Sequence, residues 1–205
     1  MDAVQKLSEL FREFPGVGHR QAKRFVYFLL SKNSAFLDEL SKQIDFLPKI
    51  IRICQNCFRF FPAREVETVA CDICLDNSRD KKTLMVVARN EDAETIEKNA
   101  IYRGYYFVLG NEVPILEEHP EKLVRAKEFL NVLEKRIGLG LKEIILAFNA
   151  NPTGENTATY VTLLAKPYVT KSSLSVTHLG KGLSTGLELE YSDPETLRGA
   201  LKNRG

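Results

Sequence analysis

Apolar positions in the first fifty residues recur at helical spacing. They return every three or four residues through 3–14, 19–30 and 33–50, and this period predicts three amphipathic helices that form a small helical unit. In the second helix, the residues expected to face inward are Ala22, Phe25, Val26, Leu29 and Leu30. The third helix carries Phe36, Leu40, Ile44 and Leu47.

A different pattern begins after residue 77, where short apolar runs alternate with helical stretches. The predicted strands are 84–87, 105–109, 143–148 and 173–177, and the helices that follow the first three are 91–98, 121–136 and 157–165. Strands and helices in this succession predict a mostly parallel sheet covered by helices. Near the end, Asp193 and Pro194 indicate a helix start, since one can cap the helix and the other fits its first turn.

These patterns divide the chain into four predicted parts. Residues 1–53 are helical, 54–77 carry the cysteines without sustained periodicity, 78–172 hold the α/β sheet, and 173–205 add a strand and a helix. We therefore expect an α+β protein with several domains.

Composition restricts the class of protein without identifying a function. The 205 residues are 44% hydrophobic and 27% charged, as in ordinary globular proteins. No apolar run approaches the roughly 20 residues that span a bilayer, and the first residues do not resemble a signal peptide. We therefore expect a cytoplasmic protein, in which disulfides are rare.

Net charge alone does not indicate a nucleic-acid partner, because the chain carries only +2. Its distribution is more informative. Residues 1–53 hold nine Lys and Arg against six Asp and Glu, whereas the remainder is close to neutral. Any contact with DNA is therefore expected to be local.

The four cysteines form two C-x-x-C pairs separated by 13 residues. Each pair places two sulfurs on one side of a tight turn, and two such turns can surround a zinc ion tetrahedrally. Four thiolates leave no open position for water, which indicates a structural ion and not a catalytic one. The predicted ligands are Cys54, Cys57, Cys71 and Cys74, with one zinc ion per subunit. Two disulfides or four buried free thiols are the alternative, which the expected compartment and the spacing disfavour.

The segment Pro15-Gly16-Val17-Gly18 separates the first two predicted helices and has the form of a helix-hairpin-helix turn. Its glycines allow the backbone to approach a phosphate closely, and the N–H groups that open the next helix point toward it. The predicted DNA-binding residues are Gly16, Gly18, His19, Arg20, Lys23 and Arg24. Such contacts recognise the phosphate backbone and not the base sequence. The alternative is a plain turn with a solvated basic face.

Taken together, these segments resemble the bacterial RecR family of recombination mediators over nearly the whole chain. The matching stretches are Phe14–Gly18 with Ala22-Lys23-Arg24, the four cysteines, Val86-Val87 with Asp92 and Ile96-Glu97, Tyr106–Gly110, Glu143–Ala147 with Gly154-Glu155 and Thr157-Ala158, and Gly186 with Leu189–Tyr191 and Thr196-Leu197.

The resemblance implies a domain order and a function. It implies a helix-hairpin-helix, a zinc finger, a Toprim domain and a C-terminal segment with a Walker-B-like strand that takes part in oligomerisation. It also implies a non-enzymatic, nucleoid-associated clamp, a tetrameric ring or a dimer, which works with RecO and in many bacteria RecF to load RecA at single-strand gaps. Arg20 and Arg24 match the family's basic positions, and the Toprim surface supplies the RecO contact.

The sequence departs from Toprim enzymes at the positions that hold magnesium. Ala88 stands where these enzymes have a Glu that RecR relatives usually retain, and Asn149 and Asn151 replace two Asp residues. Magnesium prefers anionic oxygen, so catalysis is not expected. Asp92 and Glu155 are the remaining acids expected to contact a partner, with a solvated or helix-capping role as the alternative.

Two other functions fit part of the pattern. A small nuclease or primase of the Toprim type would use Asp92 and Glu155 with magnesium, although the substituted positions count against it. A zinc-dependent adaptor without a DNA role is the other alternative.

Overall fold

We describe the protein from a computed structural model that covers residues 2–63, 67–180, 182–183, 186 and 188–202. The chain divides into two compact units, Met1–Ile51 and Arg52–Gly205. Within these ranges, every helix is too short or too polar to span a bilayer.

Unit 1 contains the three predicted helices. They are α1 (Ala3–Arg12), α2 (His19–Leu30) and α3 (Ser34–Ile50). Side chains cap two of them, since Asp2 accepts a 2.7 Å hydrogen bond from the Gln5 N–H and Asn33 accepts one of 2.9 Å from Phe36. Helices α1 and α2 pack against each other where Ala22 and Val26 are buried.

The apolar face of α3 is exposed. No described residue of α3 is buried, and Ile44 and Leu47 remain 59% and 55% exposed. Leu30, expected to face inward, is 65% exposed, so that expectation is wrong. The helical period predicts the three helices correctly, but the period alone does not show whether a partner covers the apolar face.

Unit 2 contains the sheet domain and the cysteine-bearing segment. Its elements are β1 (Ile51–Ile53, which begins at the unit boundary), β2 (Phe60–Pro62), α4 (Asp72–Leu75), β3 (Thr83–Val87), α5 (Asn90–Lys98), β4 (Tyr105–Val108), α6 (Pro120–Leu123), α7 (Ala126–Gly138), β5 (Glu143–Ala147), α8 (Pro152–Lys171), β6 (Ser175–His178), a 3₁₀ turn (Leu189–Tyr191) and α9 (Pro194–Lys202). Strands β1 and β2 pair with each other, and the larger sheet has the order β4-β3-β5-β6 with every pairing parallel. The α+β class and the parallel sheet are confirmed.

The parallel sheet is buried on both faces. Alternate strand residues point to opposite sides, so Leu84, Val86 and Phe107 pack with Phe129 of α7 and Val161 of α8. The residues between them, which include Met85, Val87 and Tyr106, pack with α5 and the cysteine-bearing segment. This double burial explains the unbroken apolar runs in the sequence.

The single helix expected over 121–136 is two helices, α6 and α7, with a break at Val124 and Arg125. At the break the Arg125 N–H donates to the Leu109 carbonyl at 2.9 Å, and its guanidinium donates to the Val108 carbonyl at 3.0 Å. These bonds hold the chain at the end of β4. Tertiary hydrogen bonding therefore replaces the helical bonds that the local sequence would favour.

Helix α8 begins five residues earlier than expected and ends six residues later. Its start is fixed by Asn151, whose side chain accepts a 2.8 Å hydrogen bond from the Gly154 N–H, and by Pro152 in the first turn. Gly154 also lies so close to the Asn149 backbone that a β-carbon there would clash with its carbonyl. Asn151 and Pro152 are therefore the sequence signal that marks the true start of α8.

Candidate functional site

The four cysteine sulfurs lie together in unit 2. All four side chains are free thiols, and their sulfurs lie within 4.8 Å of one another. A tetrahedral ion with metal–sulfur bonds of about 2.3 Å would need sulfurs roughly 3.8 Å apart, and the Cys57 and Cys71 sulfurs are separated by 3.5 Å. The cluster could therefore hold a metal ion, and the disulfide alternative does not describe this geometry.

Crowding of the thiols shifts their ionisation in opposite directions. Hydrogen bonds from Cys57, Cys71 and Cys74 hold the pKa of the Cys54 thiol well below its usual range. Hydrogen bonding with the other three thiols, together with burial, raises the pKa of Cys74. Four anionic sulfurs cannot share this buried space without a cation, so the donor set fits a divalent ion that prefers sulfur.

One cation already faces the cluster. Arg59 lies within reach of the Cys57 and Cys71 sulfurs and forms an ion pair with Asp72. Burial lowers the pKa of Arg59, but the negative charges of Cys71, Asp72 and Cys57 more than compensate, and the net shift is upward. Arg59 therefore stays charged and offsets part of the thiolate charge.

The cysteine-bearing segment is attached to the parallel sheet. The Val108 N–H of β4 donates to the Cys57 carbonyl at 2.8 Å, and the Phe60 N–H donates to the Asn90 side chain at 2.8 Å. Because β4 lies at the edge of its sheet, the first bond satisfies an edge group that has no strand beside it. The short strands β1 and β2 were not predicted, since three-residue strands carry little periodic signal.

The hairpin between α1 and α2 has the expected backbone features. Gly16 adopts a positive φ of 74°, a conformation that favours glycine. Gly18 precedes α2, and its carbonyl accepts the first helical hydrogen bond, from Ala22 at 3.0 Å. The space beside both glycines is open. The N–H groups of the first α2 turn can therefore be approached by a ligand.

The basic residues after the hairpin are exposed and lie on two sides of α2. His19 and Lys23, one helical turn apart, line a shallow cavity of about 260 Å³ that also includes Asp2 and Glu9. Arg20 and Arg24 form a second pair, and the Arg24 guanidinium donates to the Gln21 side chain at 3.3 Å. Neither arginine is among the described residues that line the cavity with Asp2 and Glu9.

Asp92 and Glu155 lie at the carboxyl edge of the parallel sheet. They belong to the first turns of α5 and α8, which follow the neighbouring strands β3 and β5. The Asp92 carboxylate accepts a 2.9 Å hydrogen bond from the Arg89 N–H. This bond caps the start of α5, which is the role given above as the alternative to a partner contact. Glu155 lines a cavity of about 470 Å³ that also includes His178 and Asp193.

The substituted Toprim positions have structural roles of their own. Ala88 is buried at the end of β3. The Asn149 amide donates to the Glu112 carboxylate at 2.9 Å, and Asn151 caps α8. Both amides are therefore engaged in local contacts at the edge where enzymes of this fold would place magnesium ligands.

Comparisons with known proteins agree with this architecture. A family model described as a Toprim domain matches residues 82–179. The recombination protein RecR of Pediococcus pentosaceus is 32% identical over 203 residues, covering 99% of this chain and 96% of the relative. The RecR proteins of Phytoplasma mali and Bifidobacterium longum subsp. infantis are 36% and 35% identical, each covering 98% of this chain and 93% and 95% of the relative.

We expect Cys57→Ser to release a bound metal ion and to destabilise the protein. Loss of the ion removes the charge that compensates buried thiolates, which corresponds to roughly 3–5 kcal/mol and a melting temperature about 10 °C lower. Metal content by elemental analysis and thermal unfolding measure both effects. Asn56→Ser, on an exposed residue between Cys54 and Cys57, is the matched control and should retain the ion. A metal-free protein of unchanged stability would contradict this assignment.

Affinity for the ion should also fall on acidification, because the thiols must lose protons to bind it.

Proposed function

The chain belongs to the RecR family of recombination proteins, and we propose on this basis that it binds DNA as a non-enzymatic clamp that helps to load a RecA-type recombinase at single-strand gaps. The observation that carries the proposal is similarity over 98–99% of the chain to proteins named for recombination. The exposed hairpin and the thiol cluster occur together within that aligned length.

The hairpin is the proposed DNA contact. Exposed backbone donors beside Gly16 and Gly18 suit a phosphate, and Arg20 and Arg24 can pair with neighbouring phosphates. His19 and Lys23 are assigned to the same surface, although the nearby carboxylates reduce their contribution. This contact would recognise DNA irrespective of sequence.

We assign zinc to the thiol cluster. Four sulfur ligands in a closed arrangement are typical of structural zinc, which has no preference for an additional oxygen ligand. Thiolates also exclude magnesium and calcium, which prefer oxygen. The ion would stabilise the cysteine-bearing segment and take no part in a reaction.

The carboxyl edge of the sheet is the proposed contact for a RecO-type protein, and a RecF-type protein is a further proposed partner. Asp92 and Glu155 begin the helices that follow the adjacent strands β3 and β5, so both carboxylates lie at this edge although the helices cover opposite faces of the sheet. An acidic edge would guide a basic partner surface during association. A DNA-repair role with these partners would place the protein in the cytoplasm at the nucleoid.

We further propose that the chain forms a homo-oligomer, a tetrameric ring or a dimer, through α3. Its apolar residues recur on one side of the helix at Phe36, Leu40, Ile44 and Leu47, and no described residue of α3 is buried within the chain. An exposed apolar face of this length is typical of an interface. A second copy of the chain would cover it with a matching face.

Catalysis by the sheet domain is not part of the proposed function. The carboxylates that would hold magnesium are replaced by Ala88, Asn149 and Asn151, and the two amides already engage in local hydrogen bonds. The mechanism would instead be electrostatic and topological, because a ring combines several weak phosphate contacts.

The double variant Arg20→Ala with Arg24→Ala tests the DNA contact. We expect binding to a short oligonucleotide to weaken and its dependence on salt to fall by a slope of about 1 to 2, because up to two phosphate contacts are lost. Titrations at several salt concentrations measure both quantities. The matched control, Lys6→Ala with Lys42→Ala, removes the same charge from α1 and α3. Normal binding by the arginine variant would place the DNA contact elsewhere, and a wild-type protein that binds partners but not DNA would favour the adaptor function.

The double variant Ile44→Lys with Leu47→Lys tests the oligomer interface. Two charges on the apolar face would prevent its burial, so we expect native mass spectrometry to show monomers where the wild type shows assemblies. Asp38→Asn with Asp45→Asn removes two negative charges from the polar side of α3, so it changes the net charge by the same +2, and it should preserve assembly. Oligomers that persist in the first variant would exclude α3 as the interface.

Glu155→Gln separates the partner role from an enzymatic one. We expect the wild type to show no cleavage of DNA and no primer synthesis with magnesium or manganese. The variant should bind a RecO-type protein roughly two- to fivefold more weakly, as expected for loss of one exposed charge contact. Glu134→Gln, which neutralises an exposed acid on α7, is the control. Metal-dependent activity that disappears in Glu155→Gln would establish an enzyme instead.

A further inference from the structure

A polar pocket lies beside the thiol cluster, between the first C-x-x-C turn and the end of α7. Its volume is about 330 Å³, and it is contained within unit 2. The floor is formed by Tyr105 and Val132, both buried. The polar residues and cations around it are Gln55, Asn56, Asn77, Lys81, Lys135 and Arg136.

The charge of this pocket is positive. Lys81, Lys135 and Arg136 line it together with three side-chain amides, and none of the described lining residues is an Asp or a Glu. Both lysines are exposed, so their ammonium groups can reach a ligand at the mouth. Amide and ammonium donors around one opening are suited to an anion with several acceptor oxygens, such as a phosphate.

Arg136 is held in position by an aromatic ring. Its guanidinium carbon lies 3.7 Å from the centre of the Tyr105 ring. The ring is itself fixed, because the Tyr105 hydroxyl donates to the Asp76 carbonyl at 2.9 Å. Stacking occupies a face of the guanidinium and leaves its edge N–H groups directed outward, which is the geometry in which arginine binds phosphate.

The pocket belongs to a wider basic edge of the parallel sheet. Strands β3 and β5 begin at this edge, where the Lys142 N–H donates to the Lys82 carbonyl at 2.8 Å and brings two more lysine residues together. Helices α7 and α8 also end here, with Lys135, Arg136 and Lys171 in their last turns. Asp80, Glu97 and Glu143 also lie at this edge, but the Lys and Arg residues outnumber them.

The cations near the thiol cluster carry more positive charge than is needed to balance the negative charge of the cluster. Four thiolates around a divalent ion carry a formal charge of −2, and partly exposed Cys74 presents part of it to the pocket. Arg59 opposes this charge at Cys57 and Cys71. Three further cations at the pocket leave a net attraction for an anion.

We propose that this pocket binds a backbone phosphate of a nucleic acid through Lys81, Lys135 and Arg136. This contact lies beyond the proposed function, which assigns DNA binding to the hairpin of unit 1. A free phosphate ion has the same chemistry, and the experiment distinguishes the two sources.

The test is Lys81→Ala with Lys135→Ala in the full chain, titrated with a single-stranded oligonucleotide and with a duplex of equal length. We expect affinity to fall roughly three- to tenfold for at least one of them, and the salt slope to fall by about 1 to 2. The matched control, Lys122→Ala with Lys127→Ala, removes the same charge from α6 and the start of α7 and should bind as the wild type does. Thermal unfolding of each variant, with and without inorganic phosphate, completes the comparison.

The outcomes separate this proposal from the one at the hairpin. Weakened binding in Lys81→Ala with Lys135→Ala supports the pocket even if Arg20→Ala with Arg24→Ala binds normally. Unchanged binding with a lower melting temperature would overturn it and would assign the lysines to helix ends or thiolate charge. Stabilisation by inorganic phosphate that the variant loses, with DNA affinity unchanged, would also overturn it in favour of a free anion.

Discussion

Repulsion among four thiolates in one buried space is the constraint on which unit 2 depends. The cysteine sulfurs share an apolar core with Met85, Val87 and Tyr106 of the sheet, so they are shielded from water that would otherwise stabilise their charge. A cation at the centre would remove this repulsion. The same core then fixes the Cys57 carbonyl at the edge of β4. Binding of a metal ion at this cluster would therefore be coupled to packing of the sheet.

The parallel topology explains why the two edges of the sheet differ so much in charge. Each helix runs antiparallel to the strand before it, so helix starts gather at the carboxyl edge and helix ends at the amino edge. Acidic residues such as Asp92 and Glu155 occupy starts, and basic residues such as Lys135 and Lys171 occupy ends, as the helix dipole favours. One topology therefore accounts both for the acidic residues at the helix starts and for the excess of basic residues at the helix ends. The helix dipole alone is sufficient to produce this distribution of charges, and a binding partner could then recognise it.

The sequence was informative where the signal was local. The bounds of α2, the parallel strands and the start of α9 follow from periodicity and capping residues, and the spacing of the cysteines was sufficient to predict that they meet. The sequence did not predict features that depend on contacts between distant parts of the chain. The break before α7 depends on hydrogen bonds between Arg125 and the end of β4, which lie 16 or 17 positions earlier in the chain. The pocket beside the thiol cluster is lined by residues of the first C-x-x-C turn, of the turn before β3, and of helix α7. No single stretch of the sequence therefore predicts it.

A domain of this fold without magnesium carboxylates at its carboxyl edge can use the side chains of that edge for other contacts. Carboxylates that hold a catalytic ion must remain accessible to it, whereas Asn149 and Asn151 can be used to fix Glu112 and the start of α8. These two hydrogen bonds hold the carboxyl edge rigid. Rigidity of this kind suits protein contacts, since little side-chain entropy is lost on binding. Each phosphate contact at the hairpin or the basic pocket would be weak on its own, and repetition around an oligomer would give it strength. The substitutions that argue against catalysis are therefore the ones expected in a protein that acts by multivalent binding.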